Sequence, residues 1–426
     1  MTVNVTLSAT LAANEEIARR RRAGQRVLNL AFGEAGLPVH PALRERLAEA
    51  SPENSYGPVA GAAVLREAAA GYWDRRGLPT DPELVVCGPG SKPLLYALLP
   101  AIGGDIVLPA PSWVSYAAQA DLAGVRSIPV PAPPGEGGTP DPDQLTGAVL
   151  RARAQGRTVN SVLVTLPDNP TGRLARPETI RRLAETAREL DLMIISDEIY
   201  RDLVHDRSAA FLSPADIAPE RTIVTSGLSK SHALGGWRIG VARLTSIPLR
   251  DRLLAVASEI WSCPATPVQH AAAYAYTEPP ELVERVAASR RLHGVVARAV
   301  ADRFARAGAG VAYPQGGFYL YPDLAPLRRF ATSGELASAL LDEHGVGVLP
   351  GAVFGDAPGT LRVRVATSLL YGEGEEQRMA ALSSERPIDL PWVAASLGHL
   401  EEALAGFTER RWFAAWTPPA LAPASP

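Results

Sequence analysis

The sequence is almost without lysine. Of its 42 basic residues only Lys92 and Lys230 are lysines, and the rest are arginines. A guanidinium is permanently protonated and forms no Schiff base, whereas a lysine amine can be tuned to do so. A lysine that survives such a bias is therefore a candidate for amine chemistry, although two could also remain by drift. Cysteine is as scarce. Cys87 and Cys263 stand in apolar surroundings and read as small core residues, as expected in a reducing cytoplasm. The seven histidines show no ligand spacing, which argues against a metal site. No apolar run has membrane-spanning length, and the first twenty residues lack the apolar core and cleavage site of a signal peptide. A net charge of −3 leaves no electrostatic footprint for nucleic acid. The one basic run, Arg19 to Arg22, reads as the solvated face of an N-terminal helix.

What is present is a long chain, 426 residues with 46% hydrophobic, enough for a large core and a second, smaller body. Between about residues 83 and 245, short runs that are apolar throughout alternate with amphipathic helical patterns. The runs include Leu84–Cys87, Asp105–Leu108, Val162–Leu166, Leu192–Ile195 and Thr222–Thr225. Strands buried on both faces of a parallel sheet read this way. Pro177 to Leu190 is a clear helix between two of them, with Ile180, Leu183, Ala184 and Ala187 on one face. The pattern predicts an α/β fold: a large domain with a mostly parallel sheet flanked by helices. Downstream, a helical stretch from about Glu281 to Ala307 precedes half-buried strands at Gly316–Tyr321 and Leu361–Val365, which predict a smaller α+β domain. The expected division is an N-terminal arm and part of the small domain over 1–45, the large domain over 46–285, the small domain over 286–416, and a disordered tail over 417–426. Residues 131–141 read as a loop, and Gly372 to Pro391 as a surface excursion.

Ligands of open α/β sheets sit beyond the carboxyl ends of the strands, so the residues after each run carry the functional information. Gly88-Pro-Gly90-Ser91-Lys92 is a Gly-rich turn entering a helix N-terminus, a place for phosphate or an ordinary turn. Trp113 puts a flat ring at the same edge, or is a packed core residue. Asn169-Pro-Thr-Gly172 is a turn signal, and Asp197, followed by Tyr200, stands where a helix cap would also stand. Ser226-Gly-Leu-Ser229-Lys230, with Arg238 beyond, holds one of the two lysines. Jointly these fit one ligand, pyridoxal 5'-phosphate (PLP). Its phosphate needs amides, a hydroxyl and an arginine. Its ring needs a flat neighbour, its nitrogen a buried carboxylate, its phenolate donors such as Tyr and Asn, and its aldehyde a lysine.

On these motifs the chain, from about Asn29 to Thr367, resembles the class I/II aminotransferases, the fold-type I PLP enzymes related to aspartate aminotransferase. Asn169-Pro-Thr-Gly172, Asp197-x-x-Tyr200 and Ser229-Lys230 with Arg238 eight residues on are the strongest signatures. The resemblance implies that Lys230 holds PLP as an aldimine and carries the proton, and that Asp197 pairs with the ring nitrogen. It implies that Asn169 and Tyr200 bond the ring oxygen, that Trp113 stacks on the ring, and that Gly90, Ser91, Lys92, Ser226 or Ser229, and Arg238 hold the phosphate. Tyr56, in Ser55-Tyr-Gly-Pro-Val-Ala-Gly61, resembles the tyrosine that reaches the partner subunit's cofactor, which implies a homodimer with shared sites. Gly33 resembles the loop that closes on substrate, and Arg362 the arginine that grips the substrate carboxylate in a bidentate pair.

Two positions depart from the family pattern. Ala35-Gly36 stands where Pro-Asp is common, and Arg364 stands two residues beyond Arg362, where a small residue is common. Phe32, Tyr319 and Arg364 are further candidates for the side-chain pocket. The expected reaction moves an amino group from an amino acid to a 2-oxo acid through a quinonoid. The alternative keeps the cofactor and diverts the carbanion to β- or γ-elimination, replacement, or oxidation. A PLP-binding transcription factor would need a DNA-binding domain ahead of Asn29, and too little chain precedes it.

Overall fold

The computed structural model of the chain describes residues 7–327 and 330–409. Seven strands form its large sheet: β1 (Val85–Gly88), β2 (Asp105–Ala110), β3 (Ser127–Pro131), β4 (Val159–Thr165), β5 (Met193–Asp197), β6 (Thr222–Gly227) and β7 (Gly240–Arg243). Their order is β1-β7-β6-β5-β4-β2-β3, and β7 alone runs antiparallel to its neighbours. The uniformly apolar runs are central because helices cover both faces. Val162, Val164 and Ile194 join the core under the helix Pro177–Glu189, whereas Leu163, Ile195 and Ile223 join the core under the helix Ser91–Ile102. Successive residues of a strand point to opposite faces, so only a run without polar positions serves both layers.

The smaller body has a three-stranded antiparallel sheet, with Val363–Ala366 between Leu349–Pro350 and Tyr319–Leu320. A parallel pair, Leu28–Asn29 with Val346–Gly347, ties the N-terminal segment to it. The helix Pro280–Arg306, about 40 Å long at the usual rise, links the two bodies. Leu282 is buried with the large-sheet core, while Leu292, Val296, Val300 and Phe304 are buried in the small one. The division expected at 285 therefore falls inside one continuous helix.

Three expectations change. Residues 372–391 are no surface excursion: they contain the helix Glu375–Ser383, whose Ala381 and Leu382 are buried in the small-domain core. The basic run does end a helix, Ala9–Arg22, but Arg20 is not simply solvated; it pairs with Glu16 and with Asp342 of the small domain. Cys263 is half-buried, unlike the buried Cys87. The tail expected over 417–426 lies outside the described residues. Among the described residues no helix is long and apolar enough to cross a membrane.

Candidate active site

The parallel register lines up three residues at the carboxyl end of the sheet: Thr165 of β4 beside Asp197 of β5, and Asp197 beside Thr225 of β6. Asp197 is buried. Its Oδ2 accepts from the Tyr116 hydroxyl at 2.8 Å and its Oδ1 from Thr225 Oγ1 at 3.3 Å, while Tyr116 also meets Thr165 Oγ1 at 2.9 Å. Burial pushes the Asp197 carboxyl up to about 6, against the hydrogen bonds from Tyr116, Ile199 and Thr225 that favour its anion. No arginine, lysine or histidine forms an ion pair with it among the described residues. A buried carboxylate without a counter-ion fits the protonated nitrogen of a pyridine ring.

This carboxylate faces a cavity of about 550 Å³ between the sheet edge and the small domain. Lys230 lines it from the helical turn Leu228–Ser231, which directly follows β6. Its Nζ donates to the Gly33 carbonyl at 2.7 Å. The Tyr200 and Tyr319 hydroxyls meet at 3.0 Å nearby, and Tyr319 donates to the same Gly33 carbonyl at 3.4 Å. Ser91 and Lys92 open the helix Ser91–Ile102, and Trp113 stands 4.9 Å from Lys92 Nζ, measured to the ring centroid. Gly90 has φ +96°, and any Cβ there would strike the Arg238 guanidinium. Free amides at a helix start, with a guanidinium held against them, form a phosphate cradle. The donor set thus suits PLP from end to end.

Of the residues the sequence singles out, the cavity gathers Gly33, Ser91, Lys92, Trp113, Asn169, Asp197, Tyr200, Ser229, Lys230 and Arg238, with Gly90 at its border. Three are elsewhere. Tyr56 is 92% exposed. Ser226 lines a different cavity, beyond the Lys230 turn. Arg362 turns to Asp356, 2.6 Å away, with its side chain 36% exposed, and does not line the cavity. Arg364 does line it. Its side chain is 1% exposed, its Nη1 donates to Asn169 Oδ1 at 3.2 Å and its Nη2 to the Ala31 carbonyl at 2.5 Å, and its Nε has no partner among the described residues. Two residues of extended chain, about 7 Å, separate the two arginines, and only Arg364 lines the cavity.

The glycine loop explains its own departure. Ala35 is fully buried beside Tyr200, Phe318 and Tyr319, and Gly36 adopts φ +67° against the Ser368 carbonyl, a conformation and space that suit no side chain.

Some cavity residues escape the sequence reading. Tyr116 sits one helical turn after Trp113, and that spacing at a strand end is a signal that could have found it. Ser8, Thr10 and Leu11 enter from the start of the N-terminal helix, which carries no motif. Thr10 Oγ1 is buried there without a hydrogen-bond partner among the described residues.

Residues 25–369 match the model of the family "Aminotransferase class I and II", and the chain belongs to that family. It is a PLP-dependent aminotransferase. It is 34% identical to an aspartate aminotransferase of Bacillus sp. (strain YM-2) over 379 residues, 86% of this chain and 93% of the relative. It is 34% identical to a probable aspartate/prephenate aminotransferase of Thermus aquaticus, over 88% of this chain and 94% of the relative. Its structure is similar to that of aspartate aminotransferase from Thermus thermophilus with maleate. The TM-score is 0.80 at 28% identity, covering 93% of this chain and 97% of that one. These relatives support transamination over elimination or oxidation.

Proposed function

We propose that the enzyme transfers an amino group between an acidic amino acid and a 2-oxo acid, with Lys230 as the covalent anchor of the cofactor and the proton carrier. The observation that carries this reading is the placement of Lys230 and Asp197 on one cavity that also holds three further cations without carboxylate partners among the described residues, Arg238, Arg364 and Lys92. When bound, PLP supplies an electron sink that stabilises the carbanion left at the substrate α-carbon. Asp197, fixed by Tyr116 and Thr225, would hold the ring nitrogen protonated. Trp113 would pack on the ring. Ser91, Ser229 and Arg238 would hold the phosphate, and Asn169 and Tyr200 would bond the ring oxygen. Lys230 Nζ, which lines the cavity and donates to the Gly33 carbonyl, would take and carry the proton of the substrate α-carbon.

Substrate recognition falls to two cations. Arg364 grips the α-carboxylate, kept in orientation by Asn169. Lys92 takes the second carboxylate, with the Thr10 hydroxyl and Ser8 beside it. Its ammonium is held below the ordinary lysine value by burial, then by the charges of Arg238 and Lys230, and an incoming anion offsets that positive charge. The names of the aspartate-using relatives support the same class. We also propose a homodimer in which Tyr56, exposed and remote from the cavity of its own chain, completes the partner's cradle, working in the cytoplasm, where free thiols such as Cys87 persist. Steady-state assays with 2-oxoglutarate test the substrate class. Aspartate or glutamate is expected to lead a panel of amino acids, and equal or better turnover of neutral aliphatic amino acids would overturn the acidic reading.

A further inference from the structure

A second cavity of about 240 Å³ lies beyond the turn that carries Lys230. The four-residue turn Leu228–Ser231 and the residue after it divide between two spaces. Ser229 and Lys230 line the catalytic cavity, while Leu228, Ser231 and His232 line the second one. Ser226, which the sequence suggested as a phosphate ligand of the cofactor, belongs to this second space too.

Its charges are unbalanced. Arg76, Arg207 and Arg290 face it, against Asp202 and Glu278. Both carboxylates are already engaged. Asp202 accepts from Arg76 at 2.9 Å and from the Tyr72 hydroxyl at 3.0 Å, and Glu278 accepts from Arg76 at 2.5 Å and Arg75 at 2.7 Å. Arg207 and Arg290 form no side-chain hydrogen bond or ion pair with the described residues; burial lowers the Arg290 guanidinium, the nearby charge of Arg207 adds to that, and Asp202 opposes it. His232 adds no charge at neutral pH, since burial lowers it to about 4, but it adds polar edges, its Nδ1 sharing a 2.9 Å hydrogen bond with Ser231 Oγ. The Tyr276 hydroxyl, on the same wall, is buried and has no partner among the described residues. Arg207 and Arg290, neither held in a side-chain hydrogen bond or ion pair among the described residues, border a cavity whose other walls include Leu228, Leu282 and Val286, and two such guanidiniums are stabilised by an anion with several oxygens.

We propose that this cavity binds a small oxyanion, a phosphate or carboxylate group, between Arg207 and Arg290, and that its occupancy is felt at Lys230 through the shared turn. The second part rests on the role given to Lys230 above. The site differs from the cofactor cradle, which uses Ser91 and Arg238 on the other side of the turn.

The test uses the PLP-loaded enzyme, whose cofactor phosphate already fills the cradle, and inorganic phosphate as the probe. Calorimetric titration at constant ionic strength is expected to show one saturable phosphate site per chain, weakened at least about tenfold in the double variant R207Q/R290Q, since each guanidinium contributes a charged hydrogen bond. Both side chains are solvent-accessible and neither lines the catalytic cavity, so turnover without phosphate should be retained. In the wild type, phosphate should also shift the pH midpoint of the cofactor absorption band, and in the variant it should not. No saturable binding, or equal binding by the variant, overturns the site. Binding that leaves the absorption midpoint unmoved overturns the coupling. If Lys230 does not carry the cofactor, the calorimetric arm still reads the site by itself.

Discussion

The guanidinium of Arg364 meets the side-chain oxygen of Asn169 at 3.2 Å, across 195 residues of chain, and this contact joins the small domain to the cofactor turn. Arg362, two residues earlier and just before the strand Val363–Ala366, is committed to Asp356 instead. We predict that Arg364→Gln raises KM for the amino acid about a hundredfold or more, because two charged hydrogen bonds to a carboxylate are lost. Arg362→Gln should change it by less than about threefold, because the Arg362 guanidinium turns to Asp356 and does not line the cavity. Steady-state kinetics on the two variants decides between them, and the reverse ranking would restore Arg362 to the substrate.

Asp197 is the second prediction. Asp197→Asn keeps the shape but removes the charge opposite the ring nitrogen, so turnover should fall on the order of 10²–10³-fold. Tyr116→Phe removes one neutral hydrogen bond to that carboxylate and should cost only about three- to tenfold. Single-turnover absorbance measurements separate the chemical step from binding. Full activity in Asp197→Asn would exclude its assigned role.

Lys92 divides substrates rather than setting the overall rate. Lys92→Ala should lower kcat/KM for aspartate by about ten- to a hundredfold while leaving alanine nearly unchanged, because only the acidic substrate has a second carboxylate to pair. An equal loss for both substrates would instead assign Lys92 to the phosphate cradle.

A pH prediction comes from His293, buried in the small-domain core with its Nδ1 2.5 Å from the Tyr371 hydroxyl. Burial holds it down at about 3, against about 6.5 in the unfolded chain. The native state therefore excludes a proton that the unfolded state accepts, so the contribution is present above pH 6.5 and is lost as pH falls from there toward 3. The thermal midpoint of the wild type should drop through this window, and His293→Asn should show a shallower drop between pH 6.5 and 4. Parallel slopes would refute it.

Much of this was legible in the sequence because parallel strands buried on both faces must be apolar throughout, and because the chemistry collects at their carboxyl ends. The runs ending at Leu108, Leu166, Ile195 and Thr225 led directly to Trp113, Asn169, Asp197 and Lys230. What escaped depends on distances the chain does not write down. Arg362 and Arg364 occupy equivalent positions in the strand alternation, and only the register of Val363–Ala366 against its neighbours decides which one reaches Asn169. Ser8 and Thr10 reach the cavity by the packing of the N-terminal helix, whose buried Ile17 lies in a cluster with Tyr321 and Leu349. Of the two serines named as alternatives, Ser229 lines the catalytic cavity and Ser226 the cavity beyond the Lys230 turn, a division set by how the strand end passes into the helical turn Leu228–Ser231.

The near-absence of lysine makes the central claim unusually direct to test. Reduction of the PLP-loaded enzyme with borohydride, followed by digestion and mass spectrometry, locates the cofactor on one of only two side chains. The account predicts a pyridoxyl group on Lys230, none on Lys92, and neither label nor turnover in Lys230→Ala. A label on Lys92, or full turnover in Lys230→Ala, would contradict it.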